Sequence, residues 1–385
     1  MNWWYVFKRE VKQLFIKDPK RAMYLFGACA IYILLFGLLY GPHVISSVPI
    51  AIYDEDHTSL SRSLIQSFND SERYQIIAYA NSREELEYLL QEKQALATIT
   101  IPLDFSRNIK TGHSMPVLVD VNGTNLIISN SVLSSAQEII QSLSSAVATK
   151  KLEATGQLPE QALHRVAPVT LGLRISYNST LSYLDFFVLG LAMAALQQGI
   201  FLSVGASMIY EYQNQQDLQE IPIPQIIAGK LLPYWLFGTL SFVMALALST
   251  LAFQIPFKGA FTSLLALGTV FSFTATALAS VMATLCRDEV SFTQLSLAYT
   301  VPAFIFSGYT WPKHSMDTLS TAISSTFPLT YFADTLRDLM LTGHAPALQH
   351  NILILLLLGT TLLIISALLY KAKRKSLSID LHHAP

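Results

Sequence analysis

The acidic run Asp54-Glu55-Asp56, followed by His57, is the part of the sequence that most resembles a metal site, because carboxylate and imidazole groups are common metal ligands. The run also ends a short apolar segment at 48–53 and precedes a helical pattern. Acidic side chains at such a position accept hydrogen bonds from backbone N–H groups and interact favourably with the positive end of the helix. We therefore expect Asp54 and its neighbours to cap a helix and not to bind a metal.

Other motifs that carry chemistry are missing from the sequence. No G-x-x-x-x-G-K-[ST] motif occurs, and the Gly229-Lys230 pair opens an apolar segment, which excludes ATP binding by a P-loop. The zinc-protease motif H-E-x-x-H, clustered Cys and His ligands and the nucleophile motif G-x-S-x-G are also missing. The pair His382-His383 is more typical of a solvated tail than of a metal site. The sequence predicts no catalytic residue, no metal site and no cofactor bound by this chain.

Long apolar segments dominate the composition. The 385 residues are 52% hydrophobic and only 13% charged, with a mean hydropathy of +0.41. A helix needs about 20 apolar residues to cross a bilayer. Segments of that kind occupy residues 22–41, 183–209, 227–253, 260–285, 292–310 and 350–370. The predicted fold is an α-helical polytopic membrane protein with six transmembrane helices and an α/β domain inserted between the first and second spans.

Cations flank both ends of this array and predict its orientation. Lysines and arginines precede the first span (Lys8, Arg9, Lys12, Lys17, Lys20, Arg21) and follow the last (Lys371, Lys373, Arg374, Lys375). Because cytoplasmic segments carry the excess of Lys and Arg, both termini are expected in the cytoplasm. The inserted domain is then extracytoplasmic, the loop 210–226 is cytoplasmic, and the region after the fifth span is outside.

The inserted region alternates short strands and helices. Strands are predicted at 48–53, 74–79, 95–101 and 116–121, and helices at 59–69, 83–93, 103–110 and 125–153. This alternation predicts a largely parallel sheet. After the fifth span, helical pieces over 315–341, broken at Pro328, carry too many apolar residues for a solvated loop. We expect these pieces to dip into the outer interface or the bulk of the membrane and to pack against the fifth and sixth spans.

Residues 2–17 are predicted to form an amphipathic helix. Trp3, Trp4 and Phe7 recur on one side at helical spacing, and Lys8 and Arg9 occupy other positions. Such a helix lies in the membrane interface, with its aromatic rings at the acyl boundary and its cations near lipid phosphates. Two interpretations remain open at this point: a simple membrane anchor, or a connector helix that touches a cytoplasmic partner.

Polar residues inside the predicted spans are uncharged, with few exceptions. This disfavours a proton-coupled pump and suits a protein whose energy comes from a partner. Their commoner role is hydrogen bonding between helices, and lining a route for an amphiphilic molecule is the alternative. The candidates for such a route are Gln197, Gln198, Thr293, Gln294 and Ser307.

Four segments resemble motifs of one transporter family. Residues 50–62 read Ile-Ala-Ile-Tyr-Asp-Glu-Asp-His-Thr-Ser-Leu-Ser-Arg, and residues 174–178 read Arg-Ile-Ser-Tyr-Asn. The polar segment that begins at Tyr210-Glu211 is followed by Ile221-Pro222, and residues 302–312 read Pro-Ala-Phe-Ile-Phe-Ser-Gly-Tyr-Thr-Trp-Pro. Together they resemble the permease subunits of ABC-2 type ATP-binding-cassette exporters, in the branch with a large extracytoplasmic domain.

The resemblance implies an organisation of the chain. It has a connector helix at 1–21, a first span at 22–42, an outer domain with linker at 43–181, a five-span region at 182–370 and a basic tail at 371–385. Within the five-span region it implies a cytoplasmic coupling loop at 210–226 and outer re-entrant helices at 311–341. The coupling residues implied are Glu211, Gln215, Asp217, Leu218 and Glu220, and those of the connector helix are Trp3, Trp4, Phe7, Lys8 and Arg9.

The resemblance also implies partners and a location. Two permease chains, identical or paired with a sibling, form a pore above two cytoplasmic ATPase subunits, which hold the ATP and Mg. Lipids and a periplasmic adaptor are further partners, nucleic acid is not, and the location is a bacterial inner membrane. The cargo implied is amphiphilic, drug-like or lipid. Two other classes remain as alternatives: a membrane-anchored surface receptor acting through its outer domain, and a membrane enzyme such as a lipid transferase.

Overall fold

The computed structural model describes residues 2–41, 45–111, 113–124, 126–153, 177–178, 182–213 and 221–382. The chain divides into two compact units. One comprises Met1–His43 with Ile175–Pro385, and the other comprises Val44–Arg174. The first holds the long apolar helices and the second holds the sheet, so we call them the helical unit and the sheet unit.

The helical unit begins with α1, Trp3–Lys12, which continues as a π-helical stretch over Gln13–Lys17. Among the described residues, five helices are long and apolar enough to cross a membrane. They are α2 (Pro19–Leu39), α7 (Leu184–Gln213), α8 (Ile223–Phe253), α9 (Phe261–Thr284) and α13, which runs over Leu348–His382 with its apolar span at Leu348–Arg374. Helix α7 is largely buried at the centre, whereas few residues of α2 and α13 are fully buried. Apolar side chains on the outside of a bundle are typical of contact with lipid.

The fifth predicted span is shorter than the sequence suggests. Helix α10, Glu289–Ile305, has 17 residues, which is the lower limit of about 17 for a span. After Ile305 the backbone leaves the helix, and Gly308 takes a φ of +97°, a value that favours glycine. Because the apolar run 292–310 includes this turn, its length overstates the helix. Six spans therefore stay a prediction, of which five are supported by helix length and composition.

The predicted outer helices occur as α11, Thr318–Ser324, and α12, Pro328–Thr342. Pro328 starts α12, where its missing N–H costs nothing. Helix α12 packs deeply, since the ring of Phe332 stacks on Phe271 of α9 at 3.9 Å and meets Phe242 of α8 at 5.7 Å. The expectation of packing against the fifth and sixth spans is thus too narrow, because α12 also contacts α7, α8 and α9.

The sheet unit confirms the predicted strand and helix order. Its elements are β1 (Val48–Asp54), α3 (Ser59–Asn69), β2 (Tyr74–Tyr79), α4 (Arg83–Gln91), β3 (Ala97–Ile101), α5 (Phe105–Thr111), β4 (Leu118–Val121) and α6 (Leu126–Glu153). The strand order is β2-β1-β3-β4, with β1 parallel to β2 and β3 and with β4 antiparallel to β3. The alternating helices permit the two parallel pairings, because parallel neighbours need a crossover connection.

The acidic turn after β1 leads into α3 and is held by hydrogen bonds. Asp54 Oδ1 accepts hydrogen bonds from the backbone N–H groups of Asp56 (3.0 Å) and His57 (3.1 Å), and its Oδ2 accepts one from Ser61 Oγ at 2.7 Å. Thr58 Oγ1 caps the helix through the N–H of Ser61. The Asp56 carboxylate accepts from Thr58 Oγ1 at 2.5 Å and from the N–H of Ser106 at 3.1 Å. The N-cap of α3 is therefore Thr58 and not an acid of the run, while Asp54 and Asp56 order the turn that precedes it.

Candidate functional site

Helix α1 rests against the start of α8 through one narrow face. Val6, Glu10 and Leu14, spaced four residues apart, are fully buried. A Cβ at Gly229 of α8 would lie 2.7 Å from the backbone oxygen of Trp3 and 2.7 Å from Val6 Cβ. The two helices therefore touch backbone to backbone, which only glycine permits at this position.

The aromatic face of α1 points away from the helical unit. Trp3 and Trp4 are exposed, the Trp4 and Phe7 rings stack at 5.1 Å, and Lys8 Nζ lies 5.3 Å above the Trp4 ring. These residues stay available for a membrane interface or a partner. The placement of Arg9 among the outward cations is wrong, because its guanidinium turns inward to pair with Glu211.

Two positive and two negative side chains meet where α1 contacts α7 and α8. Glu10 of α1, Glu211 at the end of α7 and Lys230 at the start of α8 have fully buried side chains, and Arg9 is 14% exposed. Lys230 Nζ lies 2.6 Å from Glu10 Oε1 and 3.3 Å from Glu211 Oε2. We call Arg9, Glu10, Glu211 and Lys230 the charge cluster. It joins α1 to α7 and α8, two consecutive helices that come much later in the sequence.

Two hydroxyl groups complete the environment of Glu10. Ser207 Oγ donates to Glu10 Oε2 at 2.8 Å, and the Tyr234 hydroxyl donates to the same oxygen at 3.2 Å. Burial by itself raises the pKa of Glu10, but the positive charge of Lys230 and the hydrogen bonds from Lys230 and Ser207 outweigh burial and lower the pKa below its usual value. Glu10 is therefore ionised, and the cluster is a buried ion network.

The junction between α1 and α2 is fastened to α7 as well. Arg21 donates to Asp18 at 3.0 Å, to Gln13 Oε1 at 3.2 Å and to the carbonyl oxygen of Ala206 at 3.3 Å. In return, Ser203 Oγ donates to the carbonyl oxygen of Arg21 at 2.7 Å. Helix α1 thus cannot pivot freely about Asp18, because Arg21, just after Asp18, is bonded to Ser203 and Ala206 of α7.

The last helix approaches the same region from another side. Lys373 Nζ donates to the carbonyl oxygens of Thr284 (3.2 Å) and Cys286 (3.3 Å) at the end of α9, and it lies 4.0 Å from the centre of the Tyr212 ring. Arg374 donates to the carbonyl oxygen of Ile221 at 3.2 Å. Tyr212 precedes the segment 214–220 and Ile221 follows it. Both ends of that segment are therefore held by α13.

The arrangement suits the transmission of force and not bond chemistry. Glu211 is the one implied coupling residue among the described residues; Gln215, Asp217, Leu218 and Glu220 lie outside them. Sequence reasoning missed Glu10, Lys230, Lys373 and Arg374 as members of the site. A signal for Glu10 existed, because an acid spaced four residues from both Val6 and Leu14 interrupts an apolar stripe and needs a buried partner.

The candidate route-lining residues do different things. Gln198 of α7 donates to Ser296 Oγ at 2.8 Å and accepts from Thr300 Oγ1 at 2.7 Å, so it bridges α7 and α10. Thr293 donates within α10 to the carbonyl oxygen of Glu289. Ser307, in the turn after α10, donates to the carbonyl oxygen of Phe304. Gln294 is exposed, while Gln197 is fully buried and its amide has no partner among the described residues. A role for these residues in a route stays a prediction.

Loss of the α13 contacts should loosen the segment 214–220. We expect the double variant Lys373→Gln/Arg374→Gln to be cleaved about tenfold faster by a glutamyl endopeptidase near Glu220. The variant loses the Arg374 bond to the Ile221 carbonyl and the Lys373 contact with the Tyr212 ring, which are the contacts of α13 with the residues on either side. The readout is mass spectrometry of the purified full chain. Lys371→Gln, an exposed neighbour on the same helix, is the control and should match wild type. Equal cleavage of both variants would show that α13 does not hold the segment.

Comparison with known proteins places the chain among transporters. A family model described as ABC-2 family transporter protein matches residues 21–368. Two proteins of Escherichia coli strain K12, named probable multidrug ABC transporter permease YbhR and YbhS, are each 22% identical, over 343 and 374 residues. The first alignment covers 88% of this chain and 89% of the relative, and the second covers 95% of each. The E. coli protein named inner membrane transport permease YhhJ is 23% identical over 314 residues, 78% of this chain and 79% of the relative.

Proposed function

Because this chain belongs to the ABC-2 family of transporter proteins, we propose that it is the permease subunit of an exporter driven by a separate cytoplasmic ATPase. The observation that carries this proposal is the charge cluster. It ties α1 and the start of α8 to the end of α7, which leads directly into the segment 214–220. Movement of that segment would therefore be transmitted to α1, α7 and α8 together.

The proposed coupling element is the loop 210–226, seated on the ATPase. ATP and Mg are held by that partner, and this chain performs no hydrolysis. Glu211 carries movement of the loop to Lys230 and Arg9, and Lys373 and Arg374 hold the loop from the opposite side. Helix α1 is the connector helix, with Trp3, Trp4 and Phe7 in the membrane interface or on the ATPase.

The proposed topology has six spans, with α10 as the fifth. Both termini and the loop 210–226 are cytoplasmic, in line with the lysines and arginines before α2 and after the span of α13. The sheet unit is then extracytoplasmic, and the chain resides in the inner membrane of a bacterium. The relative YhhJ, which is named an inner membrane transport permease, supports this location.

The proposed cargo is amphiphilic, either drug-like or lipid. Two permease chains, identical or sibling, form the pathway, and in a double-membraned cell a periplasmic adaptor docks on the sheet unit. The relatives named as probable multidrug permeases support an exporter of small molecules. The uncharged polar residues of α7 and α10, including Gln197 and Gln198, suit the passage of such molecules.

An affinity pull-down from native membranes tests the proposal. We expect a P-loop ATPase to co-purify in mild detergent with the tagged full chain and with the control Lys371→Gln, and to be lost from the triple variant Gln215→Ala/Asp217→Ala/Leu218→Ala. Failure to recover an ATPase in any mild detergent would contradict the energy source proposed here. The alternative, a surface receptor that acts through its sheet unit, would then be favoured.

A further inference from the structure

A second site lies at the opposite ends of the central helices. The start of α7, the turn after α10 and helix α12 enclose a recess of about 680 Å³. Aromatic rings from Tyr183, Phe186, Phe187 and Tyr309 line it together with polar side chains that include Lys313 and Arg337. In the proposed topology this outer recess faces the extracytoplasmic side of the membrane.

Two cations in the outer recess share one carboxylate. The Arg337 guanidinium pairs with Asp334, and Lys313 Nζ lies 3.3 Å from the same carboxylate and donates to the carbonyl oxygen of Thr330 at 2.8 Å. His314 also lines the recess. Asp338, one turn after Asp334 on α12, is not among the lining residues, and burial together with the charge of Asp334 raises its pKa. The lining therefore carries more positive than negative charge.

Donors in the outer recess are left without acceptors. Nη1 of Arg337 is buried and has no hydrogen-bond partner among the described residues. Tyr309 is 3% exposed, and its hydroxyl also lacks a partner within the described part of the chain. Buried polar groups are normally paired, so two such groups in one lining point to an acceptor from outside the chain.

The aromatic rings hold the arginine in place. The guanidinium carbon of Arg337 lies 4.9 Å from the centre of the Phe186 ring and 4.8 Å from that of Tyr309. Tyr309 is itself fixed by α7, since a Cβ at Gly190 would lie 2.4 Å from its ring. The centres of the two rings are 6.0 Å apart, so the guanidinium lies against both rings without being sandwiched between them. Its Nη2 pairs with Asp334, and its Nη1 is the donor that is left for an anion.

We propose that the outer recess binds an anionic amphiphile, with its carboxylate or phosphate group at Arg337, Lys313 and the Tyr309 hydroxyl and its apolar body against the aromatic rings. The placement outside the membrane core rests on the proposed topology, whereas the site itself does not depend on ATP-driven export. The anion comes either from a membrane lipid headgroup or from an exported organic acid.

Binding to the purified full chain in phosphatidylcholine nanodiscs tests the site without any ATPase. The probe is 11-(dansylamino)undecanoate, compared with its uncharged methyl ester. We expect saturable binding of the acid, about tenfold tighter than the ester, because a charge-assisted hydrogen bond is lost in the ester. Arg337→Gln and Lys313→Gln should each weaken binding of the acid by about tenfold, and Tyr309→Phe by about fivefold. Lys258→Gln is the control, since Lys258 lies over Tyr177, outside the recess.

Competition identifies the source of the anion. Displacement of the probe by phosphatidylglycerol indicates a lipid headgroup, and displacement only by free organic acids indicates cargo. Equal binding of acid and ester, or unchanged binding in Lys313→Gln and Tyr309→Phe, would overturn the proposal and leave Arg337 as a purely structural contact. Those two variants decide the matter if Arg337→Gln fails to fold, and neither result bears on ATPase coupling.

Discussion

Replacing Lys230 with methionine is expected to destabilise the helical unit by about 3–5 kcal/mol, because Glu10 and Glu211 then keep buried negative charges without their shared cation. A typical protein is stable by only about 5–15 kcal/mol, so the loss is large. The melting temperature of the purified full chain in detergent is measured by heating samples and quantifying the folded protein that remains by size-exclusion chromatography. Export should be lost as well.

A double replacement separates charge from packing. Lys230→Met combined with Glu10→Met leaves the Arg9–Glu211 pair intact, so it should recover a substantial part of the lost melting temperature. The control is Lys12→Met, which replaces an exposed lysine of α1 and should melt like wild type. If Lys230→Met also melts like wild type, the buried network does not hold the three helices together.

Replacing Gly229 with alanine is expected to push α1 away from α8. The added Cβ would lie 2.7 Å from the backbone oxygen of Trp3, and a backbone atom cannot rotate aside as a side-chain end can. Overpacking of this kind costs about 1–3 kcal/mol, which corresponds to roughly 5-fold to 150-fold more opening of α1. Tryptic cleavage after Arg9, which is held inside the charge cluster, should accelerate by that factor.

The matched control is the same change at another glycine. A Cβ at Gly27 would meet only Met23 Cγ, at an ordinary 3.6 Å, so Gly27→Ala should cleave like wild type. We expect Gly229→Ala to remain inserted in the membrane and to lose export, because α1 carries Glu10 and Arg9 away with it. Normal cleavage and normal export in this variant would mean that the contact of α1 with α8 plays no part in coupling.

Apolar runs and alternation in the sequence determined most of the architecture. Runs of 20 or more apolar residues can satisfy their backbone groups only as helices in a bilayer, and five of the six predicted runs occur as such helices. The strands of the sheet unit follow from short apolar segments separated by capped helices, as at Thr58 and Ser82. These features depend on local periodicity, which a single sequence displays.

The tertiary structure decided which charges meet. Lys230 is 220 residues from Glu10 and 19 residues from Glu211 along the chain, and no local pattern pairs them. Their burial places opposite charges where water cannot screen them, so their partners are fixed by how α1, α7 and α8 pack. The same holds for Arg337, which lies against the rings of Phe186 and Tyr309. Helix packing is a property of distant surfaces, and for that reason the sequence by itself determined the helices but not the sites between them.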